Sequence, residues 1–432
     1  MIRSLFVCAL IFRALGTPGG LPAWETLHPE ASRFADFDIR ENTEIRELCM
    51  DTITAPTSEV LETVRRVFTQ RGQDNRVSME VRTSRKAFYI LFLNEEEGKF
   101  PVFSRGSWII KRDIATGDFL QVKIFFHSDP GSFVRIFPDA GGKSLMDVYL
   151  FDRRIQRNVP LGLNFVNLLS CSFAGIVEAT GKTVNWRGLI PRVDASAYEN
   201  VENASRRIRS LLPELREVED GAMDKEGGMV FIETLLPQPE QGGFNCSGFV
   251  KWAADGLYAP LAGRLLDIRE LKAKPLGARG SFISRRFEDA RDPFFGLDWS
   301  RNIALAFRRL ESGRAGETGS CDVRELPYWK YMQDIGFPAA DLPAIMYYLA
   351  LNEPGNIYIA SVNREFGKDP VLRQHTHVAA LFPAIDEAGK FSCPVMDTNE
   401  ETSLEPLMRR GDFIHLVRVK APPEFNPPGP VR

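Results

Sequence analysis

The sequence predicts an α+β protein: an antiparallel, β-sandwich-like N-terminal domain, followed by a C-terminal domain in which helices and strands mix. Three observations predict it. From about residue 77 to 190, short runs rich in Val, Ile and aromatics alternate with turn clusters such as Ala115-Thr116-Gly117-Asp118 and Ser128-Asp129-Pro130-Gly131, the pattern of antiparallel strands joined by tight turns. Behind Gly242-Gly243, the residues Phe249, Val250, Ala253 and Leu257 recur at helical spacing, marking a helix with one buried face. Strand-like runs then return at 355–361, around His377, at 390–397 and at 413–419.

Taken in order, residues 1–23 place Arg3 before an apolar run at 5–12 and end in Leu21-Pro22-Ala23. This is the composition of a secretory signal peptide, and it puts the mature start near Trp24 and the protein in the periplasm or cell envelope. Residues 24–190 form the β-rich accessory domain. Within it, 58–68 reads as a helix with Ser58 as N-cap, and strands are expected at 87–93, 107–112, 119–127, 132–138 and 145–152. Gly142-Lys143-Ser144 and Gly181-Lys182-Thr183 look like phosphate loops, but Phe137 and Ile176 stand where each would need its first glycine. Both read as hairpin turns, and no nucleotide is expected.

Residues 191–227 form a helical linker in which Tyr198, Val201, Ala204, Ile208 and Leu211 repeat at helical spacing and Pro213 ends the run. The catalytic domain is assigned to 228–420, with a helical insertion at about 262–352 in which Asp298 and Asp341 serve as N-caps. The proline-rich tail, 421–432, is expected to fray.

A chain of 432 residues has room for two domains. Its 44% hydrophobic and 26% charged residues are those of a globular protein, and a net charge of −3 gives no electrostatic case for nucleic acid. No apolar run is long enough for a transmembrane segment. Once the leader is removed, Cys49, Cys171, Cys246, Cys321 and Cys393 remain, an odd set that suggests a free thiol in an exported protein.

Cys246 is the candidate. A glycine turn runs into a helix start at this residue, where unpaired N–H groups and the helix dipole favour a thiolate. Asn245-Cys246-Ser247-Gly248-Phe249-Val250 resembles the nucleophile motif of the NlpC/P60 cysteine peptidases, Asp-Cys-Ser-Gly-[Leu/Phe]-Val, with Asn245 in place of the usual Asp. His377-Val378-Ala379-Ala380-Leu381 is similar to that family's histidine strand, and the two blocks come in the family's order. The resemblance covers the C-terminal half only, from about Gly228. It implies a papain-like NlpC/P60-type α+β fold, Cys246 as nucleophile, His377 as its base and peptidoglycan stem peptides as substrate, with no cofactor.

The resemblance also implies that the third, orienting group lies on the strand after the histidine strand. If the turn falls at Asp386-Glu387-Ala388-Gly389, His377 faces residue 398 or 399; with one residue of register error allowed, Asp397, Thr398 and Asn399 are the candidates. A carboxylate best steadies an imidazolium, which selects Asp397 ahead of Asn399. A competing metal reading takes His375, His377 and Cys393, since histidines two apart share a face of a regular strand; it lacks a fourth ligand. Two functional alternatives stay open: an inactive envelope or surface binding protein that keeps the fold, and an acyl or amide transferase using the same Cys–His pair.

Overall fold

The computed structural model describes residues 39–70, 75–191, 194–240, 242–274, 295–314, 316–369 and 371–429; the leader expected at 1–23 lies outside them. The protein is α+β with an N-terminal antiparallel sheet. Three short helices, α1 (Thr43–Leu48), α2 (Met50–Thr54) and α3 (Thr57–Leu61), precede eight strands. These are β1 (Arg66–Thr69), β2 (Arg76–Thr83), β3 (Ala87–Asn94), β4 (Trp108–Asp113), β5 (Phe119–Phe125), β6 (Phe133–Pro138), β7 (Lys143–Leu150) and β8 (Arg153–Asn164). They pair in strict sequence order within a single sheet.

A sandwich would have divided the strands between two sheets. Here each turn closes a hairpin, so every strand pairs with its predecessor. The expected helix at 58–68 stops at Leu61, because Val67 and Phe68 pair with Ser78 and Val77 as part of β1. The β reading also runs too far at its other end. α4 (Phe165–Leu168) and α5 (Phe173–Thr180) follow β8, capped by the side chains of Asn164 and Ser172. Gly142-Lys143-Ser144 does sit at the β6–β7 hairpin, where the Asp139 N–H donates to the Lys143 carbonyl. Gly181-Lys182-Thr183 instead follows the end of α5.

The helix α6 (Glu199–Leu211) runs into a 3₁₀ turn that holds Pro213. Next come β9 (Ala222–Met223), β10 (Met229–Val230), α7 (Cys246–Ala262), α8 (Ile268–Leu271), α9 (Phe295–Ser312), β11 (Phe337–Pro338) and α10 (Leu342–Asn352). The chain ends with β12 (Asn356–Phe366), β13 (Leu372–Leu381), β14 (Ala384–Ile385), β15 (Phe391–Ser392), β16 (Val395–Asp397), β17 (Glu400–Thr402), α11 (Leu404–Arg410) and β18 (Phe413–Lys420). Asp298 lies inside α9 and is buried, so it is not the N-cap expected of it. The strand expected at 390–397 is split into β15 and β16 by Cys393-Pro394, since proline has no N–H for a ladder.

Six strands form the second sheet, in the order β11-β18-β12-β13-β16-β17 with every pair antiparallel. Alternate residues serve two different cores. Ile359, Val378, Ala380 and Val417 face α7, α9 and α6, packing with Phe249, Trp252, Ile303 and Val201. Tyr358, Ala360, Val362, Ala379, Leu381 and Leu416 join the other core, which also contains α10 and the inner face of the eight-stranded sheet. α10 is apolar nearly all round, as a helix wedged between two layers must be. Its Tyr347 ring lies 4.6 Å from His127 and 5.5 Å from Phe391, and its hydroxyl donates to the Leu189 carbonyl at 2.8 Å.

The tail does not fray over its described length. Gly256 of α7 has no side chain where the Phe425 ring presses in, and a Cβ there would come within 2.5 Å of the ring. The Asn426 N–H donates to the Gly256 carbonyl at 2.8 Å, and Trp252 Nε1 donates to the Pro428 carbonyl at 2.9 Å. α7 also carries an ion pair with both side chains 0% exposed, Lys251 Nζ to Asp255 Oδ2 at 2.6 Å. Asp255 Oδ1 accepts from the Leu266 N–H at 2.7 Å, tying the segment after the helix back onto it. Burial pushes the Asp255 carboxyl up to about 6 against the pull of Lys251.

Candidate active site

The site is built on the start of α7. Asn245 is its N-cap, with an extended backbone and a side chain that accepts from the Gly248 N–H at 2.8 Å. Asparagine caps a helix about as well as aspartate, so Asn245 in place of an Asp leaves this start intact. Gly248 is required here, because a Cβ would fall 1.9 Å from the Gly221 carbonyl oxygen. That carbonyl accepts from the Asn245 N–H, while the Phe244 and Val218 N–H groups bond back and forth between the two segments. Residues 216–221 are thereby pinned beside the cysteine turn. Cys246 is the first residue of the helix and is half-buried, and its own N–H has no intrahelical acceptor.

His377 comes from β13. Its Nε2 lies 2.8 Å from Asp397 Oδ1, which leaves Nδ1 for the Cys246 sulfur, to which the imidazole also hydrogen-bonds. The Asp386 turn closes with the Gly389 N–H on the Asp386 carbonyl and the Asp386 N–H on the Lys390 carbonyl; Gly389 takes φ 73°. In the ladder, Ala380 pairs with Met396. Continuing that register sets Asp397 opposite Ala379, diagonal to His377 on the same face and within side-chain reach. Asn399 is carried into the two-residue turn between β16 and β17. Thr398 in that turn has φ 53°, a left-handed backbone that costs a β-branched residue of order 1–3 kcal/mol.

His375 and His377 do not share a face. Val362 pairs with His377 but Asn363 pairs with His375, so Thr376 is an extra residue in a β-bulge. His375 turns toward α9, where a Cβ built on Gly296 would lie 3.5 Å from His375 Cβ. Its Nε2 donates to the Asp334 carbonyl at 2.9 Å. Burial and the neighbouring His415 hold its imidazole down to about 3. The set His375, His377 and Cys393 therefore does not converge. Among the described residues, no three His, Cys, Asp or Glu side chains are grouped to hold a metal.

The electrostatics favour an ion pair. Burial pushes the Cys246 thiol up, but the hydrogen bond and charge of His377, the Val378 N–H and the Ser247 hydroxyl together bring it below its ordinary value. Burial pulls His377 down, and its bonds to Asp397 and Cys246 outweigh that and raise it to about 9. Between the two pKa values, thiolate and imidazolium coexist.

The three side chains open on a cleft of about 390 Å³ whose other walls include Glu217, Glu219, Asn245 and Glu400. Arg410, the last residue of α11, also lines it, a site residue that sequence reasoning does not reach. Its Nη1 lies 2.7 Å from Asp397 Oδ2 and 2.7 Å from His377 Nε2. Nothing in the local pattern singles it out; it belongs to no motif and only the fold brings it to the histidine. A larger depression of about 900 Å³ shares Val218 and Glu219 with the cleft.

One family model, described as a Domain of unknown function (DUF8515), matches residues 35–188. The cleft residues all lie outside that span. No curated protein and no solved structure matches the chain.

Proposed function

We propose that the protein is an exported cysteine hydrolase of amide bonds, with Cys246 as nucleophile, His377 as acid–base and Asp397 as its orienting carboxylate. The observation that carries this is His377 bridging Cys246 and Asp397 at the mouth of a cleft. The nucleophile helix packed on an antiparallel sheet that carries the histidine also supports a papain-like reading of the C-terminal half. The resemblance of 245–250 and 377–381 to the NlpC/P60 peptidases suggests peptidoglycan stem peptides as the substrate class, and the depression beyond Val218 offers room for an extended chain.

In this mechanism the Cys246 thiolate attacks the amide carbonyl carbon. The resulting oxyanion sits near the Cys246 N–H and the positive end of α7. His377 Nδ1–H protonates the leaving amine as the C–N bond breaks, leaving a thioester on Cys246. The now neutral imidazole takes a proton from water, which adds to the thioester; the C–S bond breaks and the acid leaves.

A thiol-reactive amide-bond probe tests the reading. Cys246 should label selectively, and His377→Ala should lose that labelling. Equal labelling of the other cysteines would favour a binding protein. The pH dependence of alkylation by iodoacetamide is a second check. Cys246 has a lowered folded-state pKa, so its thiolate should persist as pH falls below the free-thiol midpoint of about 8.5. A midpoint at or above that value would contradict the nucleophile assignment.

A further inference from the structure

We propose that Arg410 is a positioning residue of this site, locking Asp397 against His377 and limiting how basic the imidazole becomes. The inference rests on the hydrolase reading above. Asp397 is 2% exposed and divides its two oxygens, Oδ1 to His377 Nε2 at 2.8 Å and Oδ2 to Arg410 Nη1 at 2.7 Å. The carboxylate cannot rotate without giving up one of them. The guanidinium thus does for Asp397 what Asp397 does for the imidazole.

The same Nη1 also lies 2.7 Å from His377 Nε2, and this sets a conflict. Nε2 can donate to Asp397 or accept from Arg410, but not both. The thiolate–imidazolium pair and the neutral thiol–imidazole pair both need the proton on Nε2, directed at Asp397. Only the form that has lost one further proton, a thiolate facing a neutral imidazole protonated at Nδ1, offers a lone pair to Arg410. Arg410 therefore stabilises that deprotonated form and opposes the imidazolium, so it draws the alkaline end of the active range downward.

The other ionisable groups facing His377 are Cys246 from α7, Asp397 from β16, Glu400 from β17, and Glu217 and Glu219 from the segment beside the cysteine turn. Of these, Asp397 and Cys246 act in the opposite sense, raising the imidazole. They are unchanged in the variants below, so differences between variants isolate Arg410.

The experiment follows the His377 ring protons by NMR across pH in wild type, R410Q, R410M and R410K, alongside the pH profile of amide hydrolysis. Arg410 is 42% exposed at a helix end, and two neutral variants of different shape guard against one misfolding. Both neutral variants should move the His377 titration and the alkaline limb up by about one pH unit, while R410K brings both back toward wild type. A fall in rate with neither midpoint moved would overturn the proposal, because a purely structural arginine changes the rate without changing the titration. A free-thiol midpoint for wild-type Cys246 toward iodoacetamide would overturn the hydrolase reading instead, and the NMR titration would still judge Arg410.

Discussion

Cys246→Ala is expected to abolish cleavage of purified cell-wall sacculi, with soluble products read by mass spectrometry. Removing the nucleophile of a concerted catalytic set costs on the order of 10⁴- to 10⁶-fold in kcat. The residue is half-buried at a helix start whose cap is Asn245, so alanine should leave the fold and its melting temperature nearly unchanged. His377→Ala should fall by a similar factor, since in the proposed mechanism the two residues act as a unit. Cleavage by Cys246→Ala at the wild-type rate would remove Cys246 from the mechanism. Intact sacculi with wild-type protein, alongside selective probe labelling of Cys246, would reject the substrate class and leave the thiol chemistry standing.

The largest effect on stability is expected inside α7. Asp255→Ala strands the Lys251 ammonium in a site where both side chains are 0% exposed and removes the acceptor of the Leu266 N–H. Breaking a buried pair on one side costs about 3–5 kcal/mol, readable as a drop in the denaturant midpoint. Lys251→Met should be milder in acid, because the carboxyl it leaves behind can be protonated. Asp255 is already raised to about 6 beside its lysine. A carboxyl raised in the folded state contributes stability that is full below its unfolded pKa and lost as pH rises through the folded one. Without Lys251 the carboxyl rises above its present value of about 6, so the lysine variant should weaken progressively from about pH 4 and go on weakening past pH 6. Lys251→Met/Asp255→Leu should recover much of the loss, since well-packed apolar residues often replace a buried pair at little cost. A double variant no better than Asp255→Ala would show that the pair itself is needed.

How much of this is legible in the sequence differs by element. The turn into α7 is local, because two glycines, a capping Asn245 and apolar residues at helical spacing all lie within a few residues of Cys246. The hairpin that carries Asp397 toward His377 is nearly as local, set by the Asp386–Gly389 turn. What escapes is non-local or irregular. The bulge at Thr376 separates His375 from His377, and no residue type announces it. Arg410 reaches His377 from a helix that follows four further strands. Val67 and Phe68 fit a helical spacing as well as a strand, and only pairing with β2 decides between them. The tail reads as frayed by composition, yet Gly256 leaves the notch that holds Phe425. The single meander in place of a sandwich follows from which strands pair, which alternation along each strand does not specify.

The six-stranded sheet has a consequence for how the protein can be divided. Its two faces belong to different cores, and one of those cores is completed by the eight-stranded sheet through α10. The span matched by the family model stops at 188, whereas Trp186, Leu189 and Ile190 lie within that shared core. A fragment cut at that border would carry Tyr358, Val362, Leu381 and Leu416 on a face that has lost part of its cover. Such a fragment is expected to be prone to self-association through that uncovered apolar face. The border of the family match and the border of the shared core are different places on this chain.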